Sequence, residues 1–216
     1  MRIADFILND YVSTRSDRLD EVGFIVGNIG PDCGVPNADW TLFTPSGDIS
    51  HWRDPDSDYG FDLDAFYRKY LAVKNIHHSF YLGYYVHLLT DMEWREQVFN
   101  AKKEEFAREY EQNENFTRVM KRDWYDLDHL FLRENPDFHA FKVFSSIEDF
   151  PNAHLEYYPE SAFIRQIKYI SSFYKNFKGE LDREYPYLTK TEMDRFVEKA
   201  CDNIKAHLIA TGLYGG

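Results

Sequence analysis

His87 and Asp91 lie four residues apart in the most hydrophobic part of the chain, the run NIHHSFYLGYYVHLLTDMEW at 75–94. On a helix that spacing returns a side chain to the same face about one turn on, so the imidazole and the carboxylate project side by side. Both sit among apolar neighbours, where an unpaired carboxylate becomes protonated, hydrogen-bonded or bound to a cation. A metal ion answers both side chains at once. The plainer alternative is a buried His–Asp pair that satisfies itself. His77 and His78 open the same run, but by helical rise His77 and Asp91 stand about 21 Å apart, too far to share an ion on an unbroken helix.

The elements that must position this pair read as helices. Ile3, Phe6, Ile7, Leu8 and Tyr11 predict a first one over 2–12, and Leu19, Val22, Phe24, Ile25 and Val26 a second, capped by Ser16 or Asp17. Gly27, Gly30, Pro31 and Gly34 stop it in GNIGPDCG, and an irregular segment follows to about Gly60. A loop that long inside a domain is uncommon unless it is functional, and Trp40, Phe43, His51 and Trp52 are expected to anchor it. Helices resume over 61–73, capped near Asp62 or Asp64, and over 75–94, running on into a charged surface stretch at 95–111. A further helix over 115–132 is expected to bury Phe116, Val119, Met120, Trp124, Leu127, Leu130 and Phe131, and Asn135-Pro136 ends it. Short helix at 138–150, a periodic one at 160–178 with Gly179 as C-cap, and a last one capped by Thr191 and followed by Gly212 complete the chain. No alternation long enough for a strand core occurs. The expectation is an all-α, single-domain bundle over 1–216, with six to eight helices and one long loop at about 27–60.

Composition narrows the function classes. With 37 acidic residues against 25 basic, the net charge of −12 opposes a phosphate-backbone footprint or an anionic membrane. Stable nucleic-acid binding is therefore not expected, while a small anionic substrate held by a metal stays compatible. The 18 Phe and 16 Tyr point to a core built from rings. Cys33 and Cys201 form no CxxC, which argues against a zinc ribbon or a disulfide scaffold, and Cys201 reads as core. Asp5 and Asp10 interrupt the apolar residues of the N-terminus, so no secretory segment can be drawn through it. No apolar window of about 18 residues occurs either. A cytoplasmic protein is the expectation, and oligomeric state is left open.

Three features line up in order: GNIGPDCG at 27–34, His51 in the loop, and GYYVHLLTDMEW at 83–94. This pattern resembles the bacterial zinc-dependent phospholipase C family, relatives of which include the S1/P1-type nucleases, over roughly the first 95 residues. There a Gly-x-x-x-Pro-Asp turn, a downstream loop His and a Gly-Tyr-x-x-His-x-x-x-Asp helix supply one zinc. The resemblance implies Asp32, His51, His87 and Asp91 as metal ligands here, with Asp32 also orienting a nucleophilic water or accepting its proton. Two imidazoles and two carboxylates are an ordinary zinc set, and zinc brings the pKa of a bound water toward neutrality for attack on phosphorus. The glycines around Asp32 are expected to allow a tight turn that aims its carboxylate inward. Asp32 as a mere turn residue, and His51 as a loop residue packed on Trp52, are the structural alternatives.

The pattern also departs from the family. Its catalytic members hold further metals through an N-terminal residue, an early His and a His…His-x-x-x-Glu set; here no His precedes His51, and none of His129, His139 and His154 has Glu at i+4. His154 with Glu156, or Asp126, Asp128 and His129 in DWYDLDH, could rebuild a second site, although acidic residues on a helix usually form a solvated face. A second or third zinc is left open. The leading expectation is a zinc-dependent hydrolase of small anionic phosphoesters, with slow turnover or an unusual substrate. The alternative is a non-catalytic helical protein whose single zinc is structural and whose surface binds a ligand or partner. Helical phosphohydrolases built on an adjacent His-Asp pair are disfavoured, since that dipeptide is absent.

Overall fold

The computed structural model describes residues 1–14, 19–57 and 60–213, and in them the chain is all-α. Helix α1 (Arg2–Thr14) leads to α2 (Glu21–Asn28), a 3-10 turn at Gly30–Asp32, and a minimal antiparallel ribbon of β1 (Val35–Pro36) and β2 (Phe43–Thr44). The four-residue α3 (Gly47–Ser50) precedes α4 (Leu63–Phe66), whose N-cap Asp62 accepts from Ala65 N at 2.8 Å. The central α5 (His78–Trp94) follows, then α6 (Asn100–Glu105), α7 (Ala107–Gln112), α8 (Phe116–Glu134), α9 (His139–Ser145), α10 (Ala162–Lys175) and α11 (Lys190–Ala210). More segments appear than the periodicity predicts because wider π-turns divide two rods: Tyr67–Leu71 continues α4, and Arg95–Phe99 joins α5 to α6. No helix among the described residues is long and apolar enough to cross a membrane.

Helix α5 runs through the middle of the core. Phe80, Leu82, Tyr84, Tyr85, Val86 and Leu88 are almost wholly buried along it, so both of its flanks carry apolar residues and neither can face water. Its closest neighbour is α2. A Cβ placed on Gly27 would lie 2.0 Å from the Phe80 carbonyl oxygen, and one on Gly83 would lie 2.0 Å from that of Phe24. The two helices thus touch backbone to backbone, which no larger residue permits. The glycines around Asp32 act in the same way: Gly30 lies under the Tyr84 ring, and neither it nor Gly34 takes a left-handed conformation. Close packing, not turn freedom, explains them, and this corrects the sequence reading.

Other expectations shift in detail. The cap at Ser16 or Asp17 lies outside the described residues. Thr189, not Thr191, caps α11, through a reciprocal box with Glu192, a Thr-x-x-Glu pattern that was present in the sequence. Helix α10 ends at Lys175, so Gly179 is not its cap, whereas Gly212 follows α11 with φ +72°. In the loop, Trp52 packs edge-on against Phe66 and Tyr70 and donates from Nε1 to Tyr157 Oη at 3.1 Å, but Trp40 and Phe43 stay exposed. Val119 is exposed as well, being on the outer side of α8.

The acidic stretch of α8 is not a solvated face. Asp123 and Asp126 are buried and hold Arg183, at 2.8 and 2.6 Å, while Asp123 also accepts from Tyr187 N. Asp128 accepts from Tyr174 Oη at 3.2 Å, and the His129 ring stacks on Phe177. These groups clamp the segment between α10 and α11 onto α8. His154 lies against Phe80 and Phe150, and Glu156 pairs with Lys69.

The backbone contact of α2 and α5 yields a test. Gly83→Ala gains about 1 kcal/mol of helix propensity, but its methyl would meet a main-chain oxygen that no rotamer change can move. The expected net result is a loss of about 2 kcal/mol or more. Gly47→Ala, with nothing within 4 Å of its Cβ, should stay within about 0.5 kcal/mol of wild type. Urea melts measure both, and equal losses would refute the close crossing.

Candidate metal centre

Four residues from three elements meet at one end of the α2–α5 crossing. Asp32 closes the 3-10 turn after α2, His51 follows α3, and His87 and Asp91 share a face of α5 as their spacing predicts. His51 Nε2 stands 3.5 Å from Asp32 Oδ1 and 3.6 Å from Asp91 Oδ2; His87 Nε2 stands 3.9 Å from Asp32 Oδ2 and 3.4 Å from Asp91 Oδ2. Direct hydrogen-bonded ion pairs are shorter, about 2.7–2.9 Å. Ligands about 2.1 Å from a tetrahedral metal are about 3.4 Å from one another, so the spacing is that of a coordination shell. One atom each from Asp32, His51 and His87 lies within 4.8 Å of the others; Asp91 is not part of that group, although its Oδ2 approaches both imidazoles.

The imidazoles are oriented from behind. His87 Nδ1 lies 2.7 Å from the Asn28 carbonyl and His51 Nδ1 lies 3.0 Å from that of Gly47. A carbonyl only accepts, so each Nδ1 carries the proton and each Nε2 turns inward. Asn28 ends α2, where its carbonyl has no partner within the helix; its side chain also donates to Gly83 O at 3.3 Å. His87 Nε2 is buried and makes no well-directed hydrogen bond, its contact with Asp91 Oδ2 being long at 3.4 Å. A bound cation is one way to satisfy such an atom.

Side chains that sequence patterns do not disclose hold the loop in place. Tyr84 donates to Ser50 O, Tyr158 to Gly30 O at 2.7 Å, and Arg165 to Gly34 O at 2.8 Å. Trp52, next to His51, takes a left-handed φ of 51°. For a bulky residue that costs about 1–3 kcal/mol, which its packing on Phe66 and Tyr70 offsets.

No family model, curated protein or solved structure matches this chain. The centre is therefore read from its own geometry. The structure brings Asp32, His51 and His87 within reach of one ion and sets Asp91 beside both imidazoles, while His139 pairs with Glu21 and His207 meets Tyr85 Oη at 3.0 Å.

Electrostatics follow the same geometry. Burial opposes charge on His87, but Asp91, helped by Asp32 and the Asn28 carbonyl, outweighs it and raises the pKa from 6.5 to about 9. Crowding likewise opposes charge on Asp32, yet contact with His51 and the charge of His87 hold its carboxyl at about 2. The Asp32 side chain is nonetheless 60% exposed, so solvent screens part of that field.

Without metal, His87 is thus a cation at neutral pH and a metal must displace its proton. Affinity for a divalent metal is expected to rise with pH up to about 9, and binding at neutral pH to release about one proton from His87. The raised pKa also stabilises the metal-free fold fully below pH 6.5, and that contribution is lost as pH rises through about 9. Calorimetry in buffers of different ionisation enthalpy measures the proton release. Its absence would show that His87 is not a protonated ligand residue in the metal-free protein.

Proposed function

We propose that this chain is a zinc-dependent hydrolase of phosphoesters, with Asp32, His51, His87 and Asp91 as the ligands. The observation that carries the reading is the pair of imidazoles turned inward by backbone carbonyls onto two carboxylates at coordination-shell spacing. The resemblance to the zinc-dependent phospholipase C family supports the same residues. Zinc bound there supplies Lewis acidity toward water and phosphoryl oxygen.

The protein side chains have separate tasks. His51 and His87 are held as neutral-imidazole donors by their Nδ1 contacts once a metal displaces the His87 proton. Asp91 balances charge from the helix side. Asp32, the most exposed of the four, is placed to accept a hydrogen bond from the attacking water and orient it or accept its proton. In hydrolysis the water oxygen bonds phosphorus, the ester P–O bond breaks, and the water proton passes to the departing alkoxide.

A purely structural zinc is the rival reading. Structural sites are closed by their ligands, whereas Asp32 and Asp91 are 60% and 39% exposed, which favours an accessible centre. Protein purified without metal-affinity media is expected to carry near-stoichiometric zinc and to hydrolyse at least one phosphomonoester, phosphodiester or phospholipid. Asp32→Asn keeps the turn and should lower the rate on the order of 10²-fold or more with little change in melting temperature. Hydrolysis that survives both chelation and Asp32→Asn would place the activity elsewhere.

A further inference from the structure

One short segment, distant in sequence, holds the chain beside both loop ligands. Trp52, the residue after His51, donates from Nε1 to Tyr157 Oη at 3.1 Å; Tyr157 donates in turn to Tyr84 Oη at 3.4 Å, and Tyr84 donates to the carbonyl of Ser50, the residue before His51. Each hydroxyl in this relay accepts once and donates once, so it runs one way and closes around His51. The next residue, Tyr158, donates to Gly30 O at 2.7 Å and Pro31 O at 3.3 Å, immediately before Asp32. Tyr157 and Tyr158 owe their own place to neither ligand. Asn152 Nδ2 donates to Leu155 O and Tyr158 O, both at 2.7 Å, and Asn152 Oδ1 accepts from the main-chain N–H groups of His154 and Leu155.

We propose that Tyr157 and Tyr158 are positioning residues of the metal centre: Tyr157 sets the His51 imidazole through Trp52 and Tyr84, and Tyr158 sets the Asp32 carboxylate through the turn at Gly30–Asp32. This assignment rests on the metal reading above. Strain gives Tyr157 its leverage. Trp52 keeps a left-handed φ of 51°, a conformation that a bulky residue holds only while its surroundings enforce it, and the path of the chain there governs where the preceding imidazole points. The bond from His51 Nδ1 to Gly47 O lies within the loop itself, so it orients the ring on the loop but not the loop on the core. The relay supplies that second reference. Tyr84 belongs to α5, three residues before His87, so His51 is registered to the helix that carries the other imidazole. Burial pushes the Tyr84 and Tyr157 phenols up, so both keep their protons, and the relay stays intact, across the pH range in which metal affinity rises.

Cobalt(II) is the probe, because its visible absorption reports both affinity and ligand field, with a competing chelator setting the free-metal level. Wild type is titrated first and separately; failure to bind would remove the metal reading itself. Tyr157→Phe keeps the ring and deletes only the hydroxyl. It is expected to weaken cobalt binding about tenfold or more, the usual size for a residue that orients a ligand, and to shift the absorption bands at saturation. Tyr158→Phe should weaken binding comparably. Tyr185→Phe is the control: its hydroxyl binds Leu181 O at 2.7 Å and no part of the loop, so it should lower the melting temperature without changing cobalt affinity. Histidine-ring NMR of the metal-free protein resolves the two imidazoles. Tyr157→Phe should displace the His51 signals far more than those of His87, which Asn28 O holds independently. Unchanged cobalt affinity in Tyr157→Phe or Tyr158→Phe, or equal displacement of the His51 and His87 signals, overturns the positioning roles while leaving the metal centre standing.

Discussion

The structure depends on one contact, the main-chain approach of α2 to α5 at Gly27 and Gly83. Packing interfaces between helices usually keep the axes 8–10 Å apart by their side chains; here there are none at the contact, and carbonyl oxygens occupy the space where methyl groups would be. Two results follow from that closeness. The end of α2 is brought beside His87, so the unsatisfied carbonyl of Asn28 becomes the group that orients the imidazole. The turn that follows must then leave α2 over the same face of α5, which delivers Asp32 to the pair His87 and Asp91.

The centre joins two kinds of structure. His87 and Asp91 belong to the central, largely buried helix, while Asp32 and His51 belong to a segment of short turns with only a two-residue ribbon and a four-residue helix. An ion shared among them would tie the loop to the core, and its binding free energy would count toward the folding of both. Before that happens, charge on His87 and Asp32 performs part of the same work, since each raises the cost of neutralising the other.

Much of this was legible from residue spacing. The helical register of 75–94 placed His87 beside Asp91, and the breaks at Gly27, Pro31 and Gly34 located the loop that carries Asp32 and His51. All-α character was evident from periodicity because the apolar residues recur at helical intervals in almost every segment. What escaped was long-range and polar. No local pattern tells that Tyr158 and Arg165 reach back across more than a hundred residues to Gly30 and Gly34. Nor does the composition of DWYDLDH reveal that Arg183, far along the chain, neutralises Asp123 and Asp126 in the interior. The glycines were noticed but given the wrong physical role, because a sequence shows that a side chain is missing without showing what occupies its place.

The loop that carries Asp32 and His51 is gripped largely by its main chain. Tyr84, Tyr158 and Arg165 each bind a carbonyl oxygen, at Ser50, Gly30 and Gly34, and the His51 ring rests on another, at Gly47. Carbonyls are common to every residue type, so the side chains at the exposed tip, Trp40, Leu42 and Phe43 among them, are not needed to hold the ligands. That separates two tasks within a single loop. Its base keeps the geometry of the His–Asp cluster, while its tip is free to diverge, and new recognition surfaces can arise there without disturbing the cluster behind them.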